Sequence, residues 1–161
     1  MPLGLLAAAR GWARAPILAA AAVGRTLPSI AVLALLVPLL GVGAPPALAA
    51  LTLLALPPIV INIDLALRST PLSALDVAAG LGMSSTQRFA RVVVPLALPV
   101  ALAGVRTAGV EVIGSATLAT FVGAGGLGDD IVRGLQTGDT TLLALASAIV
   151  AAMALAVEIR R

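Results

Sequence analysis

From Thr26 to Ile63 the chain carries no charged side chain, a run of 38 positions. At roughly 20 residues per crossing, that is length for about two passes through a bilayer. Hydrophobic residues make up 60% of the 161 and charged residues 11%, whereas a soluble domain carries about 25% charge on its surface. The chain therefore reads as an all-α polytopic membrane protein. Its apolar residues are mostly Ala, Leu and Val, small enough to let helices approach closely. Trp12, Phe89 and Phe121 are the only aromatics, so no aromatic belt marks the interfaces. With no Cys and no His, disulfides, zinc sites and His- or Cys-based catalysis are excluded. All ten basic residues are Arg and lie dispersed, which argues against nucleic-acid binding.

Gly and Pro divide the apolar sequence. Residues 1–25 hold Arg10, Arg14 and Arg25. Their apolar run, Ala15–Val23, is too short to span. It is not followed by a polar mature domain, which disfavours a cleavable signal peptide. A cytoplasmic surface helix or the tail of an interrupted span is expected there. Spans are expected at 27–43, 47–65, 92–122 and 140–157. Pro38 and the pair Pro57-Pro58 are read as packing kinks ahead of gating hinges. The turn 41–46 separates the first two spans. Residues 70–91 read as a short helix outside the hydrocarbon, with Ser69, Thr70 and Ser73 as candidate N-caps, Pro71 in the first turn and Asp76 early in the helix. Residues 123–130 read as a flexible acidic turn and Ile131–Leu135 as a short amphipathic piece.

The positive-inside rule decides whether 92–122 crosses once or twice. With 66–91 in the cytoplasm and a single crossing, Arg160 and Arg161 also fall inside, for eight of the ten arginines. Two crossings would strand that terminal pair outside. Four spans and one cytoplasmic segment are thus expected, in a multi-pass protein of the cell (inner) membrane.

The cytoplasmic segment has internal spacing: Asp76-Val77-Ala78, three residues, Gly82, nine residues, then Val92-Val93-Val94-Pro95. This resembles the EAA loop of ABC importer permeases, Glu-Ala-Ala, three residues, Gly, nine residues, Ile-x-Leu-Pro. The substitutions, Asp for Glu and Val for Ala, Ile or Leu, keep charge or shape. Other pieces are similar to the osmoprotectant branch of these permeases: Thr26-Leu27-Pro28-Ser29, Pro38 through Gly43, Pro95 through Pro99, Ala103 through Thr107, and Gly114 through Ala119 leading to Gly123 through Asp129. The resemblance runs from about residue 26 to 157. Two departures stand out. The branch usually has a further span ahead of the stretch that Met1–Arg14 resembles, so the first span is expected to be missing. Glu111 stands where the family usually has an apolar residue.

The resemblance implies an ABC type I importer permease fold and a coupling helix at 70–91, with Asp76, Val77, Ala78, Gly80, Gly82, Met83, Arg88 and Pro95 as the ATPase-coupling residues. It implies a transport subunit rather than an enzyme, for glycine betaine, carnitine or choline, with no cofactor or metal of its own. The implied partners are a cytoplasmic ABC ATPase, an extracytoplasmic substrate-binding protein, a second permease copy or related permease, and the bilayer. A permease for methionine or another small solute, a passive channel, and a truncated non-functional fragment are the alternatives. No Gly-x-x-x-x-Gly-Lys phosphate loop is present.

Arg106 and Glu111 interrupt the third span, where charge is costly and usually faces protein or water. Five residues apart, they sit about 140° apart around a helix and are poor partners for each other. Arg106, Thr107, Glu111, Ser115 and Thr117 are candidates to line the translocation path. Equally, Arg106 could tie neighbouring helices and Glu111 could pair with another helix. Three aromatics cannot build a cage for a quaternary ammonium, a task the family leaves to its binding protein.

Overall fold

Glycine and proline set the boundaries of a chain whose regular elements are helical throughout. The computed structural model describes residues 11–159, and no strand occurs among them. The expectations for Met1 to Arg10 and for Arg160 and Arg161 lie outside the described residues. The elements are α1 (Gly11–Thr26), α2 (Ser29–Leu40), α3 (Ala44–Arg68), α4 (Leu72–Gly80), α5 (Ser85–Arg88), a π-turn (Phe89–Val93), α6 (Val94–Ala116), a 3-10 segment (Thr117–Val122), α7 (Leu127–Thr137) and α8 (Thr140–Ile159).

Among the described residues, three helical runs are long and apolar enough to cross a membrane: Ala44–Arg68, Ser85–Val122 and Thr140–Ile159. The bent pair α1 and α2 makes a fourth when counted as one broken span. The stretch read as a first span, 27–43, contains only the 12 residues of α2, about 18 Å of helix against a hydrocarbon core of about 30 Å. Pro28 is the reason. It holds extended backbone at the N-cap of α2 (φ −60°, ψ 129°) and bars helix at the residue before it, so α1 stops at Thr26.

Other boundaries moved for local reasons. The turn expected over 41–46 is shorter, because α3 begins at Ala44 and takes Pro45 and Pro46 into its first turn, where their missing N–H groups leave no gap in the ladder. α3 stays helical through Pro57-Pro58 to Arg68. Ser69, Thr70 and Ser73 do not cap α4. Its N-cap is Pro71, without a side-chain bond, and Asp76 lies beyond the first turn. The Ser69 hydroxyl instead donates to the Ala66 carbonyl at 2.8 Å, closing α3. The expected acidic turn at 123–130 ends early. Leu127, Gly128, Asp129 and Asp130 already belong to α7, with the two carboxylates in the first turn, where they suit the helix dipole.

The chain divides into two compact units. The first comprises 11–22 and 58–105, the second 23–57 and 106–159. The first unit buries Val60, Ala66, Ala78 and Ala97. Asn62 donates to the Pro58 carbonyl at 2.8 Å, and Gly104 packs so closely on these two residues that a Cβ would lie 3.0 Å from that carbonyl oxygen.

The second unit centres on Leu33, Ala47, Ala50, Ala119 and Val122. Gly43 N–H donates to the Val122 carbonyl at 2.6 Å, tying the α2–α3 turn to the 3-10 segment. Gly128 lies against the Thr117 backbone and Gly134 against Leu143 of α8. Asp139 caps α8, accepting from Thr141 N–H and Leu142 N–H at 3.0 Å each. Both units use small residues where helices meet. Lipid offers no hydrophobic drive between helices, so close van der Waals approach has to hold them.

Candidate functional site

The Asp76–Pro95 segment lies within the first unit and is built as stop, turn and restart. α4 ends in a Schellman motif: Met83 N–H donates to the Ala78 carbonyl at 3.1 Å and Gly82 N–H to the Ala79 carbonyl at 2.9 Å. Gly82 carries the left-handed residue of that motif (φ 75°), which other residues adopt at a cost. Four non-helical residues, 81–84, separate α4 from α5. The helix then restarts with a capping box: Ser84 Oγ accepts from Gln87 N–H at 3.3 Å, and Gln87 Oε1 accepts from Ser84 N–H at 2.9 Å.

The side chains sort by face. Ala78 is buried and anchors α4. Asp76, Val77, Gly80 and Gly82 are exposed. Leu72, Val77 and Leu81 keep 77%, 64% and 73% of their surface open, an apolar surface on a segment that also carries charge. Met83 and Arg88 are half-buried. Arg88 donates to Ser85 Oγ at 3.3 Å, while its Nε is buried with no hydrogen-bond partner among the described residues. Pro95 stands exposed just past the π-turn, at the second residue of α6.

Upstream of α4 lies a charge cluster that the sequence reading passed over. Asp64, 5% exposed, sits on α3. Arg14 donates to it through Nε at 2.7 Å and through Nη2 at 2.9 Å. Arg68, four residues along α3, adds an Nε 3.3 Å from Oδ2. A bidentate Arg–carboxylate pair is the strong form of this contact. The signal was present: Asp64 is an acid within an otherwise apolar span, which by default needs a partner.

Thr107, Glu111 and Ser115 follow one another at four-residue spacing along α6, one stripe of the helix surface. Arg106 lies about 140° from Glu111 around the axis, as the spacing requires. Both are half-buried, and among the described residues neither makes an ion pair. Thr117 Oγ1 donates to the Gly114 carbonyl at 2.7 Å, so its hydroxyl is used at the end of α6. The structure thus brings Thr107, Glu111 and Ser115 onto one stripe and leaves Arg106 off it. Further on, the Thr120 hydroxyl donates to Asp129 Oδ1, joining the 3-10 segment to the first turn of α7.

A helical membrane chain with an interrupted polar segment between two spans has a counterpart among known proteins. Residues 1–159 match the family described as "Binding-protein-dependent transport system inner membrane component". The chain belongs to this family. Among inner membrane components of this kind, it is 37% identical over 163 aligned positions to the osmoprotectant import permease protein OsmW of Salmonella typhimurium, covering 98% of this chain and 76% of that one. It is 46% identical over 112 positions to the choline transport system permease protein OpuBB of Bacillus subtilis, covering 70% of this chain and 52% of that one. The chain thus spans about half the length of this second relative. In structure it is similar to a chain of the MetNI methionine ABC transporter in an inward-facing conformation, with a TM-score of 0.80, 22% identity, and 98% of this chain and 80% of that chain covered. That last likeness concerns the fold.

Proposed function

We propose that this chain is the membrane-spanning subunit of an ATP-driven ABC importer, and that its cargo is a small quaternary-ammonium osmoprotectant of the glycine betaine, carnitine or choline class. The observation that carries the coupling half of this reading is the Schellman stop at Gly82. It leaves α4 as a short helix with Leu72, Val77 and Leu81 open, on the same continuous chain that runs through α5 into the long helix α6. Such a segment suits a cleft on a cytoplasmic ATPase. Movement of that partner would be passed along the chain into α6. The chain itself hydrolyses nothing in this scheme. Asp76, Val77, Gly80 and Gly82 face the ATPase. Ala78, Met83 and Arg88 hold the segment to its own unit.

The cargo class rests on the names of the relatives above. A substrate-binding protein on the outer side would select the molecule, and a second copy of this permease or a related one would complete the path. Thr107, Glu111 and Ser115 are the path-lining candidates, and a carboxylate at Glu111 would favour a trimethylammonium cation.

The test is Gly82→Arg. A bulky cation in a left-handed position both strains the turn and obstructs the docking face. The variant should insert in the membrane at wild-type level but lose co-purification with the ATPase. Unchanged co-purification and transport would sink the coupling assignment. Binding of betaine, carnitine, choline and methionine to the partner receptor decides the cargo.

A further inference from the structure

The π-turn at Phe89–Val93 is unexplained by its own residues. Phe-Ala-Arg-Val-Val contains neither Gly nor Pro and would sit in an ordinary α-helix. Yet Val94 N–H reaches back five residues to the Phe89 carbonyl, instead of four to Ala90. One contributor stands next in the chain. Pro95 has no N–H, and its ring would strike the carbonyl four residues back, that of Arg91. Widening the ladder just before the proline moves that carbonyl aside. Pro99 does not have this effect, because α6 continues around it as α-helix. The difference lies in what is held on each side of Pro95. Upstream, the Ser84–Gln87 capping box fixes where the helix starts. Downstream, buried Ala97 and the close approach of Gly104 to Asn62 fix which face of α6 packs. Each α-helical residue turns the chain by about 100°. A π-turn takes up one extra residue while leaving the helix on both sides in phase.

We propose that Pro95 is a positioning residue: with the π-turn it sets the rotational phase of the α4–α5 segment about the axis of α6, and so decides which face of α4 is presented outward. The proposal rests on the coupling role given to that segment above. Its chemistry is geometric. Without the π-turn the same residues form one continuous α-helix, and α4 is carried around the axis by about one residue's turn of 100°. Val77 and Leu81, four residues apart on one stripe of α4 and its C-cap, then leave the docking side.

Two variants separate phase from simple damage. Pro95→Ala removes the clash and lets the helix close, so the phase slips. Deleting Ala90 in the Pro95→Ala chain takes out the surplus residue and returns the phase with no π-turn at all. The chain has no cysteine, so a Ser73→Cys, Leu98→Cys pair, both exposed and outside the docking residues named above, can carry spin labels without background. Pro95→Ala should shift the label-to-label distance and cut ATP-driven uptake several-fold while the protein still inserts. The Ala90 deletion in that background should restore both. Deletion of Val93 instead of Ala90 should do the same and serves where the first deletion fails to insert. Wild-type distance and uptake in Pro95→Ala would overturn the proposal, as would a deletion variant that inserts and keeps the slipped distance. The distance needs no ATPase, so it reads phase even where Gly82→Arg has removed the coupling assignment.

Discussion

At the scale of single residues, the most consequential contact is that of Asp64 with Arg14 and Arg68. An acid 5% exposed on a membrane helix is tolerable because two guanidinium groups meet it, one of them with both carboxylate oxygens engaged. Removing the acid leaves Arg14 facing the first unit with nothing to bind, and breaking such a pair costs more than the intact pair contributes. Asp64→Ala should therefore lower the melting temperature in detergent and reduce membrane yield, and Asp64→Glu should do so least. Exchanging the pair, Arg14→Asp with Asp64→Arg, should recover part of the loss. Equal damage in the exchange and in Asp64→Ala would show that the charges themselves, and not their pairing, matter at these positions.

Helices here are joined by backbone contact, and small residues decide how close they come. The Gly128 α-carbon sits against Thr117 so tightly that an added Cβ would be 3.0 Å from the Thr117 carbonyl carbon and nearer still to its oxygen. No flexible side chain can swing away, because the obstacle is backbone. Gly128→Ala should destabilise the second unit by about 1–3 kcal/mol, the usual range for overpacking, seen as a lower melting temperature. Gly80→Ala is the control: nothing lies within 4 Å of its added Cβ, and it should melt like wild type. The elements also show how far local chemistry reaches. Pro28 ends one helix and starts another, Gly82 stops α4, and Ser84 with Gln87 starts α5. The capping box is legible as Ser-x-x-Gln. The caps expected at Ser69, Thr70 and Ser73 are displaced by a neighbour. Three hydroxyl residues within five positions offer caps, but Pro71 already sets the extended backbone that an N-cap needs, and Ser69 is spent on closing α3.

At the scale of the whole molecule, the described residues hold three spanning runs, or four with the broken pair α1 and α2, too few by themselves to enclose a path for a solute. Uptake should therefore require assembly. The purified chain in vesicles, supplied with a candidate osmoprotectant inside a salt-balanced buffer, should pass none of it. Adding the ATPase, the binding protein and ATP should start accumulation against a gradient. Cargo movement by the chain alone would favour a passive channel over the importer.

Much of this protein was legible from composition and from Gly and Pro. An uncharged run of 38 residues has no stable place except lipid, and lipid requires closed backbone hydrogen bonding, so membrane helices followed directly. The spacing from Asp76 to Pro95 marks the polar segment in the sequence, and the resemblance built on it agrees with the family to which the chain belongs. The pairing of Arg14 with Asp64 across 50 positions, the contact of Gly128 with Thr117 and the π-turn before Pro95 were decided only by tertiary structure. A helix meant for lipid is apolar on every side, so its sequence carries little amphipathic stripe to say which face meets a neighbour. Local sequence thus sets where helices begin and end; which side of each is buried depends on the close fit of distant backbones.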